Sequence, residues 1–596
     1  MKAKFSKGIG RFFTTVMSVL VGVSAVGCSG GGGSGQDVDE NKIQLNVTYY
    51  NKGFGGEYVR ELGARFEDVY KDVKFGDKTG VQVMYYPTDD DSKFKDAGLF
   101  KGATNFDVAL AENTLIRTLI KGDALLDVTD VLTETSEYDG KKIVDKMSAQ
   151  QQAAVSKDGN MYAVPHYTSS YGIVYNIGLF DVNNWYFKEG YTLPSNYNPD
   201  DAIGDYNKYQ ATNINGMFVS SPSDKKTVGP DGKTGIIDGV DYSADDGLPC
   251  TYDEFFWLCK KITQKTGCTP ISWAGKYYSY YLQDALKSFL ADATGKEGYL
   301  NIFDPIGKTP QDLIEFDANG DIKSIGGTEL TKEDCANIRK QKGLYDAIRF
   351  LNVLVNGSYH NEDAFSTSHE HTTNQYEFID SYAAGGGYTG IAMIIDGAWW
   401  EREAINSNAF SEVEDSWGNE YSRENMNFGW MPLPKASKTA YETSKQSYCA
   451  DSLCSYIIAR KIDKSDIKYE LVKDFIRFAC SDESLQQFTV VTGGLKGLNY
   501  EIDDAHMSEM SNFAKNYYKT VKNPNTKLEF LYAVSDSALY EANPSYFIKN
   551  MFNINPTTEV ATQLHTLGAD NFTYSDAREV FNSICSHAKG QMNNKV

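Results

Sequence analysis

The stretch IAMIIDGAWWER, residues 391–402, ends an apolar run on Asp396, Gly397 and two adjacent tryptophans, Trp399 and Trp400. The chemistry these residues offer is recognition. An indole presents a flat apolar face with one polar tip, and a carboxylate accepts hydrogen bonds from hydroxyls. A sugar ring is the complement, a face of C–H groups ringed by hydroxyls, and a buried polar partner left unpaired costs about 1 to 3 kcal/mol. Forty tyrosines and 7 tryptophans in a chain only 41% hydrophobic supply many such faces, although most of them must belong to the core.

Other chemistries fare worse. Gly385, Gly387 and Gly390 fit G-x-G-x-x-G, but that fingerprint needs a strand before it and a helix opening inside it, whereas these glycines follow the loop-like DSYAA and precede a buried strand. In HEH, residues 369–371, the histidines are two apart and share no helix face, and neither H-E-x-x-H, a G-x-S-x-G elbow nor G-x-x-x-x-G-K occurs. DANGD (317–321) and GPDGK (229–233) lack the bidentate glutamate of an EF-hand and read as hairpin turns. A glycosidase pair of carboxylates can be imagined anywhere among so many acids, so none is singled out. Neither a cofactor nor a metal is expected.

The elements around these residues alternate. IQLNVTYY (43–50) reads as a strand; after the turn KGFGG, Val59, Leu62, Phe66, Val69 and Tyr70 recur at helical spacing. VQVMYYP and FDVALAE are further strands, which predicts an α/β domain with a largely parallel sheet. MYAVPHYTSSYGIVYNIGLFD (161–181) is extended and leads into another strand. Thr251 and Glu254 stand at capping-box spacing before a helix. YCADSLCSYIIAR reads as one strand, and Ile467, Leu471, Val472, Phe475 and Phe478 form one face of an amphipathic helix.

At the N-terminus, four cationic residues precede the mostly apolar stretch Phe12 to Val26, too short to span a membrane and placed as a secretory signal. Ala25-Val26-Gly27-Cys28 resembles a bacterial lipobox, with Ala25 where the motif usually has leucine, and it implies a lipidated Cys28 followed by a flexible tether, residues 28–41. Loss of residues 1–27 takes the formal charge from −22 to about −26 with no basic run, so nucleic acid is not the expected partner. Eight further cysteines include no C-x-x-C, and several in apolar runs read as buried thiols.

Taken in order, ARFEDVY, FDVALA followed by GDALLDVTDVL, YAVPHYTSSYGIVYNIGLFD, LPCTYDEF, TPISWAG, IAMIIDGAWW, MPLPKA, and KDFIRFACSDES followed by TGGLKGLNY resemble the extracellular solute-binding proteins of family 1, the sugar-type receptors of bacterial ABC importers. The resemblance spans nearly the whole mature chain. Two longer stretches depart from it, about 183–246 and 295–335. It implies a two-lobed periplasmic-binding-protein-like α/β fold: lobe 1 from 42–165 plus 448–490, lobe 2 from 166–447 plus 491–596, with crossings near 165, 447 and 491. It further implies that Gly397, Ala398 and Trp399 deliver an aromatic to the interlobe cleft, with Asp396 as a hydroxyl acceptor and Trp400 in the core. Gly56 and Glu57 at a helix start, Glu112 and Asn113 beyond a strand's carboxyl end, His166 and Tyr167 at the first crossing, and Trp273 with Tyr277 as a second aromatic wall complete the candidates. The expected protein is a monomeric lipoprotein, without enzymatic activity, that hands a carbohydrate to permease subunits. A secreted glycan-degrading enzyme and a surface adhesion lipoprotein are its rivals.

Overall fold

The computed structural model describes residues 36–593 apart from 169–170, 193–205, 228, 230–235, 238–239, 242–245, 384–389, 438–439, 441–446, 452–453, 523–527, 533 and 569–573. The signal segment, Cys28 and most of GPDGK lie outside the described residues, as do Gly385 and Gly387.

Two sheets organise the chain. The first holds β1 (Ile43–Tyr50), β2 (Val81–Thr88), β3 (Val108–Ala111), β4 (Ala163–Pro165) and β9 (Tyr456–Ala459) in the order β2-β1-β3-β9-β4. β1 runs parallel to both neighbours, and β9 is antiparallel to β3 and β4. The helix α1 (Glu57–Tyr70) covers it through Tyr58, Val59, Leu62 and Phe66, while Val69 is turned to solvent. That corrects the apolar stripe read from sequence: Val69 falls in the last turn, beyond the reach of the sheet.

The second sheet is β6-β7-β5-β8, with β5 at Tyr171–Asn176, β6 at Cys268–Ser272, β7 at Gly390–Gly397 and β8 at Phe428–Met431. All eight residues of β7 are buried, as expected of a strand covered on both faces. The segment before its glycines is not a loop. Asp380 to Ala383 end the helix α2 (His371–Ala383), so helix precedes strand, the reverse of a dinucleotide motif.

Local corrections have local causes. YCADSLCSYIIAR forms two strands, Ser447–Asp451 and β9, with Cys454 at φ 46° between them. Ile467 is exposed because its helix starts only at Tyr469; Leu471, Val472, Phe475 and Phe478 are buried as read. DANGD turns the hairpin Ile314–Phe316 and Ile322–Ser324, with Asp317 accepting from the N–H groups of Asn319 and Asp321.

The chain passes from the first sheet to the second between β4 and β5 and returns between β8 and β9. It leaves again after the helix Asp482–Thr492, since the later helix Asn512–Lys522 reaches the second sheet, where Asn516 donates to the carbonyl of Phe428. Tyr167–Thr168 pairs antiparallel with Leu495–Lys496, so two of these connections lie side by side. Among the described residues no helix is long and apolar enough to cross a membrane.

Candidate ligand cleft between the sheets

A cavity of about 530 Å³ lies where both sheets present one edge. From the first sheet come Tyr50 at the end of β1, the following loop Asn51 to Phe54, and Glu112 just past β3. From the second come Tyr171, which opens β5 opposite Gly397, and Trp399 just beyond β7. Tyr277, Tyr280 and Tyr281, then His371 and Thr372 at the start of α2, and finally Glu403, Asn406 and Ser407 close the wall. Such a position outside strand ends is where open α/β sheets take ligands.

Gly397 explains how Trp399 arrives there. A Cβ on Gly397 would sit 2.2 Å from Trp399 Cη2, so the indole folds back across a residue that must have no side chain. Phe54 and Tyr171 meet the ring edge-on with centroids 6.5 and 5.1 Å away. Only 6% of Trp399 is exposed, so it both lines the cavity and joins the packing of the two lobes. Trp400, one residue on, starts the helix α3 (Trp400–Asn406) on the opposite side, among Phe378, Phe410, Phe428 and Phe513.

The loop Asn51 to Phe54 is clamped against α3. Gly53 has φ 60° and its N–H reaches Glu403, and Arg402 on α3 pairs with Glu57 on α1. Glu403 is held from behind by Gln375, whose Nε2 donates to Glu403 at 3.0 Å and to Asp396 at 3.1 Å. Burial raises both carboxyls above the usual carboxylate range, and for Asp396 the charge of Glu403 adds to it. Burial, with Glu112, Asp91, Asp89 and Glu403, pushes the Tyr50 phenol up to about 12. The cleft can therefore offer aromatic faces and hydrogen-bond acceptors together.

Of the residues singled out from sequence, the cavity brings together Trp399, Glu112 and Tyr277. Asp396 stands behind the wall, its oxygens taken by Gly397 N and Gln375, and Glu403 occupies the acceptor position expected of it. Gly56 is packed on Tyr49, Glu57 is engaged by Arg402, and Asn113, at φ 51°, turns the chain away. Trp273 is fully buried, its Nε1 donating to the Ala364 carbonyl at 2.7 Å. Tyr167 stacks on Phe488. The histidines of HEH also separate: His371 lines the cavity and His369 meets Glu377. No group of three or more potential metal ligands occurs among the described residues.

His166 is fully buried where two connections between the sheets lie side by side. Tyr58 Oη lies 2.9 Å from its Nε2 and Lys496 Nζ 2.8 Å from its Nδ1. Burial first, then Lys496, holds the imidazole well below its ordinary pKa, while burial lowers Lys496 to about 7. An unfolded lysine titrates near 10.4. Between about pH 7 and 10 the unfolded chain thus binds the extra proton, and stability from this group rises with pH. Lys496→Met is expected to be more stable than the wild type at pH 7, with the difference shrinking by about 2 kcal/mol by pH 9. Paired denaturation curves at both pH values check it; an unchanged difference refutes it.

No protein-family model matches the chain, and no curated protein matches it in sequence. Among solved structures, the apo form of RafE from Streptococcus pneumoniae matches at TM-score 0.50 and 13% identity over 94% of this chain and 100% of that one. A chitin oligosaccharide binding protein matches at TM-score 0.50 and 13% identity over 92% and 100%. The fold is the two-lobed fold of periplasmic binding proteins. Within it, the cavity residues missed from sequence include Tyr50, Tyr171, Tyr281, His371 and Glu403. Glu403 had a signal, since it follows Trp399 by one helical turn and so faces the same side.

Proposed function

We propose that this protein captures a carbohydrate, an oligosaccharide, between its lobes and delivers it to the permease subunits of an ABC importer, without covalent chemistry. The observation that carries this reading is the cleft itself, in which Tyr50, Tyr171, Tyr277, Tyr281 and Trp399 surround the acceptors Glu112 and Glu403. Flat apolar faces beside acceptors match a sugar's alternation of C–H face and hydroxyl rim. The shared fold with a chitin oligosaccharide binding protein points the same way. The lobes are taken as 42–165 plus 448–490 and 166–447 plus 491–596, and closure about the crossings traps the ligand.

Calorimetry of the purified mature chain against a panel of plant and host oligosaccharides tests the reading. Saturable binding of at least one member, with no cleavage of any, is the expected result. Turnover of any member would establish the glycan-degrading rival, and absence of binding throughout would remove the carbohydrate assignment. In the same reading the protein is a monomer outside the cytoplasmic membrane, anchored by lipid on Cys28. Cys28→Ser is then expected to move it from the membrane fraction to the medium; unchanged membrane retention refutes the anchor.

A further inference from the structure

Away from the cleft, an amine and a thiol are held together by one carboxylate. Lys226 Nζ lies 3.3 Å from Cys250 Sγ, and 3.2 and 3.0 Å from the two oxygens of Glu254. The same Glu254 accepts the backbone N–H of Cys250 at 2.5 Å. That contact departs from a capping box: Thr251 does cap the helix Tyr252–Thr263, accepting from Glu254 N, but the Glu254 side chain reaches past Thr251 to Cys250. Lys226, Cys250 and Glu254 are all buried. Glu254 thus holds the amine of Lys226 and the backbone of Cys250 at once, and the amine reaches the sulfur.

This environment differs from that of an inert core thiol. Cys259, on the same helix, is wholly buried and burial pushes its thiol up. At Cys250 an ammonium adjoins the sulfur and a helix begins two residues on, and both features favour the thiolate, the form that peroxides oxidise. The ion pair with Glu254 keeps the amine protonated and at the same time supplies the base that can deprotonate it.

We propose that Lys226 and Cys250 form an oxidation-dependent covalent crosslink, a sulfenamide between Nζ and Sγ, with hydrogen peroxide as the oxidant. In the first step the thiolate attacks the peroxide, the O–O bond breaks, and sulfenic acid and hydroxide form; sulfur is oxidised by two electrons and the peroxide reduced. In the second, Glu254 takes a proton from the Lys226 ammonium and the freed amine attacks sulfur. The S–O bond breaks, the oxygen leaves as water with one further amine proton, and an S–N bond remains. A thiol restores both side chains by reducing that bond. The crosslink staples the long segment after β5, to which Lys226 belongs through its N–H bond to the Phe187 carbonyl, to the start of the helix Tyr252–Thr263. It also shields Cys250 from irreversible sulfinic acid.

The test uses the full mature chain, exposed to hydrogen peroxide without reductant and then digested under non-reducing conditions. The expected product is a Lys226 peptide joined to a Cys250 peptide, about 2 Da lighter than the sum of the two reduced peptides and separated again by dithiothreitol. A joined species about 14 Da heavier than that sum would hold an oxygen between nitrogen and sulfur and overturn the direct bond. Lys226→Arg keeps a cation beside Glu254 but removes the nucleophilic amine. Labelling of Cys250 by dimedone, which traps sulfenic acid, is expected to rise at least several-fold in that variant. Equal labelling in both proteins, or wild-type Cys250 recovered as sulfinic acid or unoxidised with Lys226 unmodified, overturns the proposal. The wild-type peptide map decides alone if the variant does not fold.

Discussion

Trp400→Ala is expected to destabilise the protein by about 3 to 5 kcal/mol, the range for removing a buried tryptophan from a core. Its ring is fully buried and meets four phenylalanines, from α2, the segment after α3, β8 and the helix Asn512–Lys522. No one of these elements can move to fill the void without losing contact with the others, so the cavity term adds to the transfer term. Its Nε1 has no hydrogen-bond partner among the described residues, which makes Trp400→Phe the informative control. That change removes the orphaned donor along with part of the ring and is expected to cost much less than the alanine. Denaturant midpoints of the three proteins measure this, and an alanine variant within about 1 kcal/mol of the wild type would exclude a core role for Trp400.

Trp399→Ala is expected to act mainly on ligand. Loss of an aromatic anchor weakens binding by about 2 kcal/mol or more, roughly thirtyfold in Kd, measured on the oligosaccharide that the calorimetric panel identifies. A stability cost accompanies it, because Phe54 and Tyr171 rest on the ring, but it stays below that of Trp400→Ala. One side of Trp399 borders the cavity, so its removal enlarges an open space instead of creating a closed void. Tryptophan emission of the wild type should change on binding, and the change should be smaller in the variant. A Trp399→Ala protein that binds normally yet unfolds far more easily would show that the roles of the two tryptophans are exchanged.

The different placement of the two tryptophans was legible through the family resemblance of IAMIIDGAWW, and its physical cause is local. A glycine that the indole can cross, followed by a helix start that turns the next side chain the other way, needs only local geometry. The strands and amphipathic helices of the first sheet were readable for the same reason, through periods of 2 and 3.6. What escaped was set by contacts between distant segments. His166 looked available for ligand because the residues that enclose it, Tyr58 and Lys496, stand 108 and 330 positions away. Asp396 looked like the acceptor because nothing nearby announces that Gln375 and Glu403 will converge on it. Val69 and Ile467 fit an apolar stripe but lie where the helix has run past, or has not yet reached, the surface it packs on.

The placement of β9 has a consequence for how the protein is made. It lies between β3 and β4, with Ile458 opposite both Ala109 and Ala163, yet most of the second lobe is synthesised before it. Until residue 459 emerges, β3 and β4 each present an open edge with unpaired backbone groups, and an uncovered edge is a template for association with other chains. Pairings so far apart in sequence also slow folding. The first sheet can therefore close only after most of the chain has been made, whereas all four strands of the second sheet are already available. Assembly of the first lobe then becomes a late event, timed by arrival of a strand that no fragment ending before residue 456 contains.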